Sequence, residues 1–449
     1  MVPENEAEEP ASIQLHVSLP SGRSAAVSLP PSATIGDLKV AAQQVLDQPF
    51  LRLAAPDGRL LDCQDRVTDL DGDCLAVALR PKIAAAWRAF ALWCVGGRVI
   101  TWGYGIFGGN SGRVAEKLRN VQQITASSFA FAALLGDGSV VTWGSPRDGG
   151  DSSAVQDQLR QVQQIHAGKR ALAAILADGT VVTWGDAESG GDCTEVQDQL
   201  KNVQHICGSH GAFAAILTDG TIVTWGDPEY AADSTDVRDQ LRNVQQIQST
   251  RSAFAATLAD GAVVTWGIWE SGGDSSAVQD QLKNVRQVCA TDFAFVAILA
   301  DETVVAWGDP LFGGDSSEVQ HQLKSVQRVH GNTGAFAAIL ADGSVITWGD
   351  GNDGGDSRAV QDQLRNVREI HATGRAFAAI LADGTVVTWG DAECGGVSAQ
   401  VQEQLRNVQQ IHGTKSAFAA LSARGSLVTW GNPQRGADSR AVKDQLSYV

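Results

Sequence analysis

Histidine and cysteine recur in this sequence at intervals of 41 residues, and these side chains are common ligands of zinc. If repeated units bring this column of side chains into register, His330, His371 and His412 are the candidate ligands of a metal ion. The alternative is a strand-end position that accepts medium-sized polar residues, because each unit supplies one ligand and Thr and Gln interrupt the column. The position, 23 residues after a repeating tryptophan, is occupied by Thr125, His166, Cys207, Gln248, Cys289, His330, His371 and His412.

One aspartate also recurs in most units, as in Asp151, Asp192 and Asp274. Calcium takes about six to eight oxygen ligands, so a single carboxylate per unit makes a poor calcium site. Each of these aspartates precedes a residue nine positions after the tryptophan, which is usually serine, as in Ser152 and Ser275. Asp and Ser are preferred N-cap residues, so we predict that the pair starts a short helical turn with the serine as N-cap.

The sequence contains no recognisable catalytic motif. GxSxG, HExxH and the phosphate-binding GxxxxGK[ST] are absent. The seven cysteines are an odd number without a CxxC pair, which argues against a disulfide framework. Cys94, Cys207 and Cys289 fall on predicted strands, where an inert buried thiol is expected. We therefore predict a protein that binds rather than catalyses, with no cofactor.

Charge and hydropathy restrict the partners. A net charge of -17 opposes sequence-independent binding to nucleic acid or to an anionic membrane. The acidic start, "MVPENEAEEPAS", has neither a positive n-region nor an apolar h-region, and no run of about 18 apolar residues follows. We expect protein partners, no nucleic acid, no membrane, and a location in the cytoplasm, with the nucleus as a second possibility.

A repeat of constant length must position all of these residues. Nine complete units fit between residues 80 and 449 without insertion or deletion, which indicates a single array of supersecondary units. The marker of each unit is a Trp-Gly pair, at Trp102, Trp143, Trp184, Trp225, Trp266, Trp307, Trp348, Trp389 and Trp430.

Each unit predicts three strands. "VQQIHA" (162–167) alternates apolar and polar residues like a half-buried strand, and "AFAAILADGTVVTWG" follows with Asp-Gly at its centre. Asp-Gly between two apolar runs predicts a hairpin with a type I′ turn. Asp301-Glu302 breaks this rule, so we expect a weaker or altered turn there. Phe occupies the position twelve residues before the tryptophan in every unit except one, which has Leu172. One Phe and one Trp per unit predict a stacked core, and an exposed ladder of aromatic side chains is the alternative.

The unit, with "G.vvtWG", a Gly-Gly turn and an "L..V..I" return, resembles the repeat of the regulator of chromosome condensation family, which includes the propellers of HERC-type ubiquitin ligases. The units here are shorter than that family's typical blade, and there are nine where seven are typical. The expected fold is mainly β, with residues 80–449 in a nine-unit β-propeller-type array. An open β-solenoid is the alternative, because propellers usually close with four to eight blades.

The first eighty residues read as a separate domain. Residues 1–11 are acidic, and we expect them to be disordered. Residues 12–79 predict strand, turn, strand, a helix beginning at Thr34 or Ile35, then two further strands. This is the β-grasp order, and "TIGDLKVAAQ", "DGRLL" and "DGDCLAVAL" are similar to ubiquitin-like domains. The last strand continues into the array without a Gly-Gly pair, so we expect a built-in docking module.

The units differ from one another in two short windows. The first begins two residues after each tryptophan, and the second lies between the first strand and the strand that bears the Phe. Both windows are predicted loops, and loops on a repeated scaffold usually carry the binding surface. In the first window Phe107, Tyr230, Trp269 and Phe312 are candidate interface anchors. The simpler alternative is that each aromatic ring packs back on its own unit.

Together these patterns predict a scaffold or adaptor, which the resemblance places in ubiquitin signalling as a substrate-recognition piece. A ligase of that class keeps its catalytic cysteine in a HECT domain, for which this sequence has no residues left. The alternative function is guanine-nucleotide exchange on a small GTPase, which the resemblance also implies.

Overall fold

The computed structural model describes residues 12–46, 51–57, 59, 61, 64–70, 72–78, 81–94, 98–442 and 445. The predicted disordered segment 1–11 lies outside these residues. The chain forms two compact units: one contains the chain up to Lys82, and the other contains Ile83–Ala423 and Leu427–Lys443. Among the described residues, no helix has the length and apolar character to cross a membrane.

In its described part, the smaller unit is a four-stranded sheet with one α-helix and a short 3-10 helix, Val67–Asp69. Its elements are β1 (Ile13–Ser18), β2 (Ser24–Leu29), α1 (Ile35–Leu46), β3 (Leu51–Ala54) and β4 (Cys74–Ala78). The strand order is β2-β1-β4-β3; β1 and β4 are parallel, and the outer pairs are antiparallel. This order of elements along the chain agrees with the prediction from the sequence.

Helix α1 begins where the sequence predicts it to begin. The Thr34 hydroxyl accepts the Asp37 N–H at 3.2 Å, and Asp37 accepts the Thr34 N–H at 2.8 Å. These reciprocal bonds satisfy two N–H groups that would otherwise lack partners at the helix start. Ile35, Leu38, Ala42 and Leu46 are buried along one face of α1, because they are three or four residues apart, and they pack into the core of this unit.

The larger unit contains nine three-stranded sheets, one per repeat, which we number 1 to 9 from Trp102 to Trp430. The strands are β5 (Lys82–Ala85), β6 (Ala89–Trp93), β7 (Val99–Gly103); β8 (Val121–Ala126), β9 (Ala130–Leu135), β10 (Val140–Gly144); β11 (Val162–Ala167), β12 (Ala171–Leu176), β13 (Val181–Gly185); β14 (Val203–Gly208), β15 (Ala212–Leu217), β16 (Ile222–Gly226); β17 (Val244–Ser249), β18 (Ala253–Leu258), β19 (Val263–Gly267); β20 (Val285–Ala290), β21 (Ala294–Leu299), β22 (Val304–Gly308); β23 (Val326–Gly331), β24 (Ala335–Leu340), β25 (Val345–Gly349); β26 (Val367–Ala372), β27 (Ala376–Leu381), β28 (Val386–Gly390); and β29 (Val408–Gly413), β30 (Ala417–Ser422), β31 (Leu427–Gly431).

The repeated Phe and Trp form the core, as predicted. In repeat 6, Phe295 and Trp307 are directly opposite each other on β21 and β22, and their rings stack with centroids 5.3 Å apart. Phe295 is fully buried and Trp307 is 4% exposed. Equivalent stacked pairs occupy every repeat except the one with Leu172. The alternative of an exposed aromatic ladder is wrong.

The tryptophan also joins each repeat to the one before it. The Trp307 Nε1–H donates to the Gly272 carbonyl at 3.1 Å, and the same bond, 35 residues back along the chain, recurs from Trp143 to Trp430. Trp102, in repeat 1, donates instead to Gly436 of repeat 9 at 3.0 Å. The bond that links consecutive repeats therefore also links the last repeat to the first.

The hairpin turns differ from the predicted type I′. In repeat 2 the loop is three residues long: the Gly138 N–H donates to the Leu135 carbonyl at 3.0 Å, and the Leu135 N–H donates to the Ser139 carbonyl at 2.9 Å. Of Asp137 and Gly138, only the glycine has a positive φ, 79°. A type I′ turn needs positive φ at both, so the turn is a type I turn followed by a left-handed residue.

The turn in repeat 6 retains this backbone despite its sequence. The Glu302 N–H donates to the Leu299 carbonyl at 3.0 Å, as the glycine does elsewhere. The predicted alteration of the backbone is wrong. Glu302 instead adopts φ 66°, a left-handed conformation that disfavours a residue with a Cβ atom by about 1 kcal/mol.

The Asp-Ser pair works differently from the prediction. In repeat 2, Asp151 accepts the Ser153 N–H at 2.9 Å, so the carboxylate and not the serine hydroxyl binds the backbone at the start of this turn. The Ser152 hydroxyl is buried, lies 3.0 Å from the Thr142 hydroxyl and donates to the Gln156 side chain. Serine therefore holds the connecting segment against the third strand instead of capping a helix.

Short helical segments, mostly 3-10, connect the repeats. Those that follow the third strands are Gly105–Phe107, Pro146–Asp148, Ala187–Gly191, Pro228–Tyr230, Trp269–Ser271, Pro310–Phe312, Gly351–Asp353, Ala392–Cys394 and Pro433–Arg435. The later ones are Gly112–Lys117, Thr194–Val196, Thr235–Val237, Gln279–Gln281, Gln361–Gln363 and Gln402–Gln404.

Candidate functional site

The two variable windows meet at one end of the sheets. In an antiparallel three-stranded sheet, the turn between strands one and two lies at the same end as the end of strand three, and the hairpin between strands two and three lies at the other. The contacts agree: the Ser127 hydroxyl, after β8, donates to the Asp148 carbonyl at 3.1 Å. Thr250 and Ser271 make the same bond at 2.9 Å in repeat 5. We call this end of the repeats the variable face.

At the centre of the variable face lies one residue per repeat, 41 positions apart. We call these residues the ring positions. They are Trp87, Ser128, Lys169, His210, Arg251, Asp292, Thr333, Gly374 and Lys415.

Backbone hydrogen bonds connect the ring positions into a continuous belt. The Arg251 N–H donates to the Asp292 carbonyl at 2.8 Å, and equivalent bonds follow from repeat to repeat, with Ser209 as the acceptor for Lys169. The last bond runs from the Lys415 N–H to the Trp87 carbonyl at 3.1 Å and joins repeat 9 to repeat 1. The belt holds the ring side chains on a rigid frame around a cavity of about 500 Å³.

The ring positions carry an excess of positive charge in an acidic protein. Lys169, Arg251 and Lys415 line the cavity, and Asp292 is the one carboxylate among the ring positions. Burial raises the pKa of Asp292, although the three cations act in the opposite direction. No carboxylate in the described part of the chain lies within ion-pair distance of these cations.

Two neighbours of the cations are uncharged at neutral pH. The Lys415 ammonium lies 4.6 Å from the centroid of a Trp87 ring, and the Lys169 ammonium lies 5.6 Å from it. The Lys169 Nζ is also 3.3 Å from His210 Nδ1. Burial, together with the nearby Lys169, lowers the pKa of His210 to about 3, so this imidazole is neutral and its Nδ1 accepts a hydrogen bond from the lysine ammonium. Burial also lowers the pKa of Lys169, and Arg251 adds to this effect.

The predicted aromatic anchors divide into two groups. The Phe107 ring packs edge-on against Phe129 with the ring centroids 4.9 Å apart, and Phe312 packs against Phe293 with the centroids 4.7 Å apart. Tyr230 is half-buried against the core between repeats. Trp269 alone among the four is strongly exposed, at 70%. Three of these aromatic rings therefore pack against other side chains of the repeats, and Trp269 is exposed on the surface.

Trp269 is one of three exposed apolar residues on the loops that follow the third strands of two adjacent repeats. Ile268 and Trp269 follow β19 in repeat 5, and Leu311 follows β22 in repeat 6. Their exposed fractions are 39%, 70% and 75%. We call these three residues the apolar patch.

Arginine side chains tie neighbouring loops of the variable face together. Arg375 Nε lies 2.6 Å from Asp353 Oδ1, and its Nη1 lies 2.8 Å from Asp391 Oδ2. Arg170 bridges Asp148 and Asp186 in the same way. Each arginine links the loops of two consecutive repeats, so these loops are held in place around the cavity.

The histidine column lies on the first strands, below the ring positions. The rings of His371 and His412 are 6.2 Å apart, and burial lowers the pKa of His330 and His412 to about 4. In the described part of the chain, no three His, Cys, Asp or Glu residues form a group that could hold a metal ion. His371 lies 3.4 Å from Glu369.

No disulfide joins the cysteines in the part of the chain that the structure describes, and Cys63 lies outside that part. Burial raises the pKa of Cys207 and of Cys289 to about 11. The thiolate, rather than the thiol, is the nucleophile, so neither side chain is activated for covalent chemistry.

The ring charges are the feature that sequence analysis missed. The ring positions fall within the second variable window, whereas the predicted aromatic anchors all lie in the first. The sequence does indicate this cluster, because three cations occupy one position of the 41-residue repeat in a chain with 51 acidic residues.

No protein-family model and no curated protein matches the sequence. Among solved structures, Prp20p from Saccharomyces cerevisiae is 16% identical over 56% of this chain and 80% of that chain, with a TM-score of 0.38. Yeast RCC1 (Prp20) bound to Kap60 is 15% identical over 71% and 86%, with a TM-score of 0.41. The computationally designed Ika8 protein is 14% identical over 69% and 96%, with a TM-score of 0.35. Similarity at this level carries no information about function.

Proposed function

We propose that this chain is a non-catalytic scaffold that binds a partner protein through the variable face of a closed nine-bladed propeller. The observation that carries the proposal is the position of both variable windows at one end of the sheets. The repeated Phe and Trp are buried and build the frame. The residues of the second variable window surround one cavity and are held by the backbone belt.

The apolar patch is the proposed anchor for the partner. Large exposed apolar side chains on a loop, surrounded by polar residues, are typical of protein interfaces, and Trp is enriched among residues that dominate binding energy. Trp269 and Leu311 are on adjacent repeats, so one partner surface can cover both.

We propose further that residues 12–79 are a ubiquitin-like β-grasp domain that connects the scaffold to ubiquitin signalling. Support comes from the mixed sheet, in which β1 and β4 are parallel at the centre, and from α1, which packs its apolar face into the core of this unit. The domain would dock on receptors of the ubiquitin pathway in the cytoplasm or nucleus.

Site-specific photocrosslinking in cells tests the scaffold. A benzophenone amino acid replaces Trp269 on the variable face, or Asp178 in an exposed hairpin at the opposite end as the control. We expect one protein to be captured at position 269 and not at position 178. Capture should disappear when Leu311→Ser is added. Deletion of residues 1–79 should remove ubiquitin-pathway proteins from the complex without affecting this capture. Equal capture at positions 269 and 178 would reject the variable face as the binding surface.

Guanine-nucleotide exchange is the competing function, and it has a separate readout. Purified small GTPases loaded with a fluorescent guanine nucleotide are mixed with the full chain, and nucleotide release is followed over time. If the scaffold proposal is correct, each GTPase releases its nucleotide at its spontaneous rate, with no acceleration by the added chain. A strong acceleration that survives Trp269→Ala would replace the scaffold proposal with an exchange factor.

A further inference from the structure

The cavity at the centre of the variable face has an unusual balance of charge. The chain as a whole has a net charge of -17, but the ring positions hold three cations and one carboxylate. All four residues line the same cavity. The cavity therefore has a local positive charge that the ring positions leave largely uncompensated.

The cations are fixed and partly dehydrated. Lys169, Arg251 and Lys415 are half-buried, and both lysines approach the face of Trp87. A cation over an aromatic face is partly stabilised and keeps its charge available on the open side. The proximity of three cations in a partly buried site, with Asp292 as the one carboxylate among the ring positions, is unfavourable, and a bound anion relieves it.

The backbone around the cavity offers a ligand few hydrogen bonds, since the ring N–H groups donate within the belt. Recognition must therefore come from side chains, namely the lysine ammonium groups and the Arg251 guanidinium. These are the donors that bind carboxylate and phosphate, with arginine suited to two parallel hydrogen bonds.

The size of the site selects the class of ligand. A volume of about 500 Å³ accepts a few amino-acid side chains but no double helix. A long polyanion would also meet the acidic remainder of the surface, which repels it. A short anionic segment of a protein gains the attraction of the cavity without this repulsion.

We propose that the central cavity binds a short acidic peptide segment, whose carboxylate or phosphate groups are held by Lys169, Arg251 and Lys415. This rests on the proposed protein-binding function and names the chemistry of the partner segment. The apolar patch and the cavity are separate contacts on one face, so each can fail without the other.

Fluorescence anisotropy with a labelled oligoglutamate peptide and the full-length protein at low salt tests the proposal. We expect saturable binding that unlabelled peptide reverses. A phosphoserine peptide and inorganic pyrophosphate, added as competitors, distinguish carboxylate from phosphate and a peptide-borne group from a free one. Displacement by either peptide at lower concentration than pyrophosphate supports the proposal, and displacement by pyrophosphate alone would overturn it.

Matched double variants locate the site. Lys169→Gln with Lys415→Gln should weaken peptide binding about tenfold or more, since each charge-assisted hydrogen bond contributes strongly to affinity. Lys201→Gln with Lys283→Gln changes the net charge equally but removes only exposed lysines in surface ion pairs, so affinity should stay within about twofold.

Asp292→Asn provides a second test that does not depend on loss of function. Removal of the ring carboxylate should tighten peptide binding about threefold or more, because it removes a like charge from the cavity. Trp269→Ala should leave this binding unchanged, which separates the cavity from the apolar patch. Equal weakening by the two lysine pairs, no binding by the wild-type chain, or tighter binding of an oligothymidylate would each overturn the proposal.

Discussion

The hydrogen bond between the first and last repeats allows a quantitative prediction about stability. Trp102 in repeat 1 and Trp307 in repeat 6 are both 4% exposed, and both stack on a buried Phe. Trp102 Nε1–H donates to Gly436 of repeat 9, whereas Trp307 Nε1–H donates to Gly272 of the preceding repeat. If the two bonds are equivalent, replacement of either tryptophan by Phe has the same effect on stability.

The size of the effect follows from two losses. The acceptor carbonyl becomes a buried group without a donor, which costs about 1–3 kcal/mol. The smaller side chain also gives up buried apolar area that contributes about 1 kcal/mol. Each substitution should therefore lower the free energy of unfolding by about 3 kcal/mol, and Trp102→Phe and Trp307→Phe should agree within about 1 kcal/mol.

Urea denaturation followed by circular dichroism measures the free energy of unfolding of both variants. In an array that is open between repeats 9 and 1, Trp102 has no preceding repeat to bind, and repeat 1 is a terminal unit with one neighbour. A midpoint near the wild-type value for Trp102→Phe, with a clear decrease for Trp307→Phe, would refute the equivalence of the bonds and the closure of the repeats.

Three further predictions concern stability. Glu302→Gly should raise the free energy of unfolding by about 0.5–1 kcal/mol because it relieves the left-handed backbone, and Glu302→Ala, which keeps the strain, should not; urea denaturation distinguishes them. Burial lowers the pKa of His330 to about 4, so below pH 6.5 the unfolded chain binds more protons at this residue than the folded chain does. The stability that the neutral, buried imidazole contributes is therefore complete above pH 6.5 and is lost as the pH falls towards 4. His330→Gln should therefore reduce the loss of stability over this range by about 2 kcal/mol relative to the exposed control His321→Gln, measured by denaturation at each pH. Arg375→Gln should destabilise the chain by about 2 kcal/mol because the buried Asp353 loses its partner, and adding Asp353→Asn should restore part of the loss; a double variant no more stable than the single one would contradict this reason.

The architecture of the repeats follows from the sequence because the pattern is repeated nine times. The three strands, the buried Phe and the buried Trp are each supported by several copies, and a single exception such as Leu172 does not weaken them. The turn type was harder to predict, because Asp-Gly suits both a type I′ turn and a type I turn followed by a left-handed glycine. The length of the loop between the paired strands decides between these turns, and it becomes known only with the register.

The candidate site was less accessible to sequence reasoning. An aromatic residue in a loop looks the same in sequence whether it is exposed, like Trp269, or packed on a neighbour, like Phe107 on Phe129. The ring positions acquire their significance from three-dimensional arrangement, because 41-residue spacing brings Lys169 and Lys415 to the same Trp87. The charges were visible in the sequence, but their convergence required the structure.

The affinity of the protein captured at position 269 tests the central claim most directly. Isothermal titration calorimetry with the purified partner should show binding to the wild-type chain that Trp269→Ala with Leu311→Ser weakens about tenfold or more, since such anchors dominate interface energy. A substitution in the opposite hairpin, Asp178→Ala, should leave the dissociation constant unchanged. If the apolar-patch variant binds as tightly as wild type, the variable face is not the binding surface and the scaffold account is contradicted.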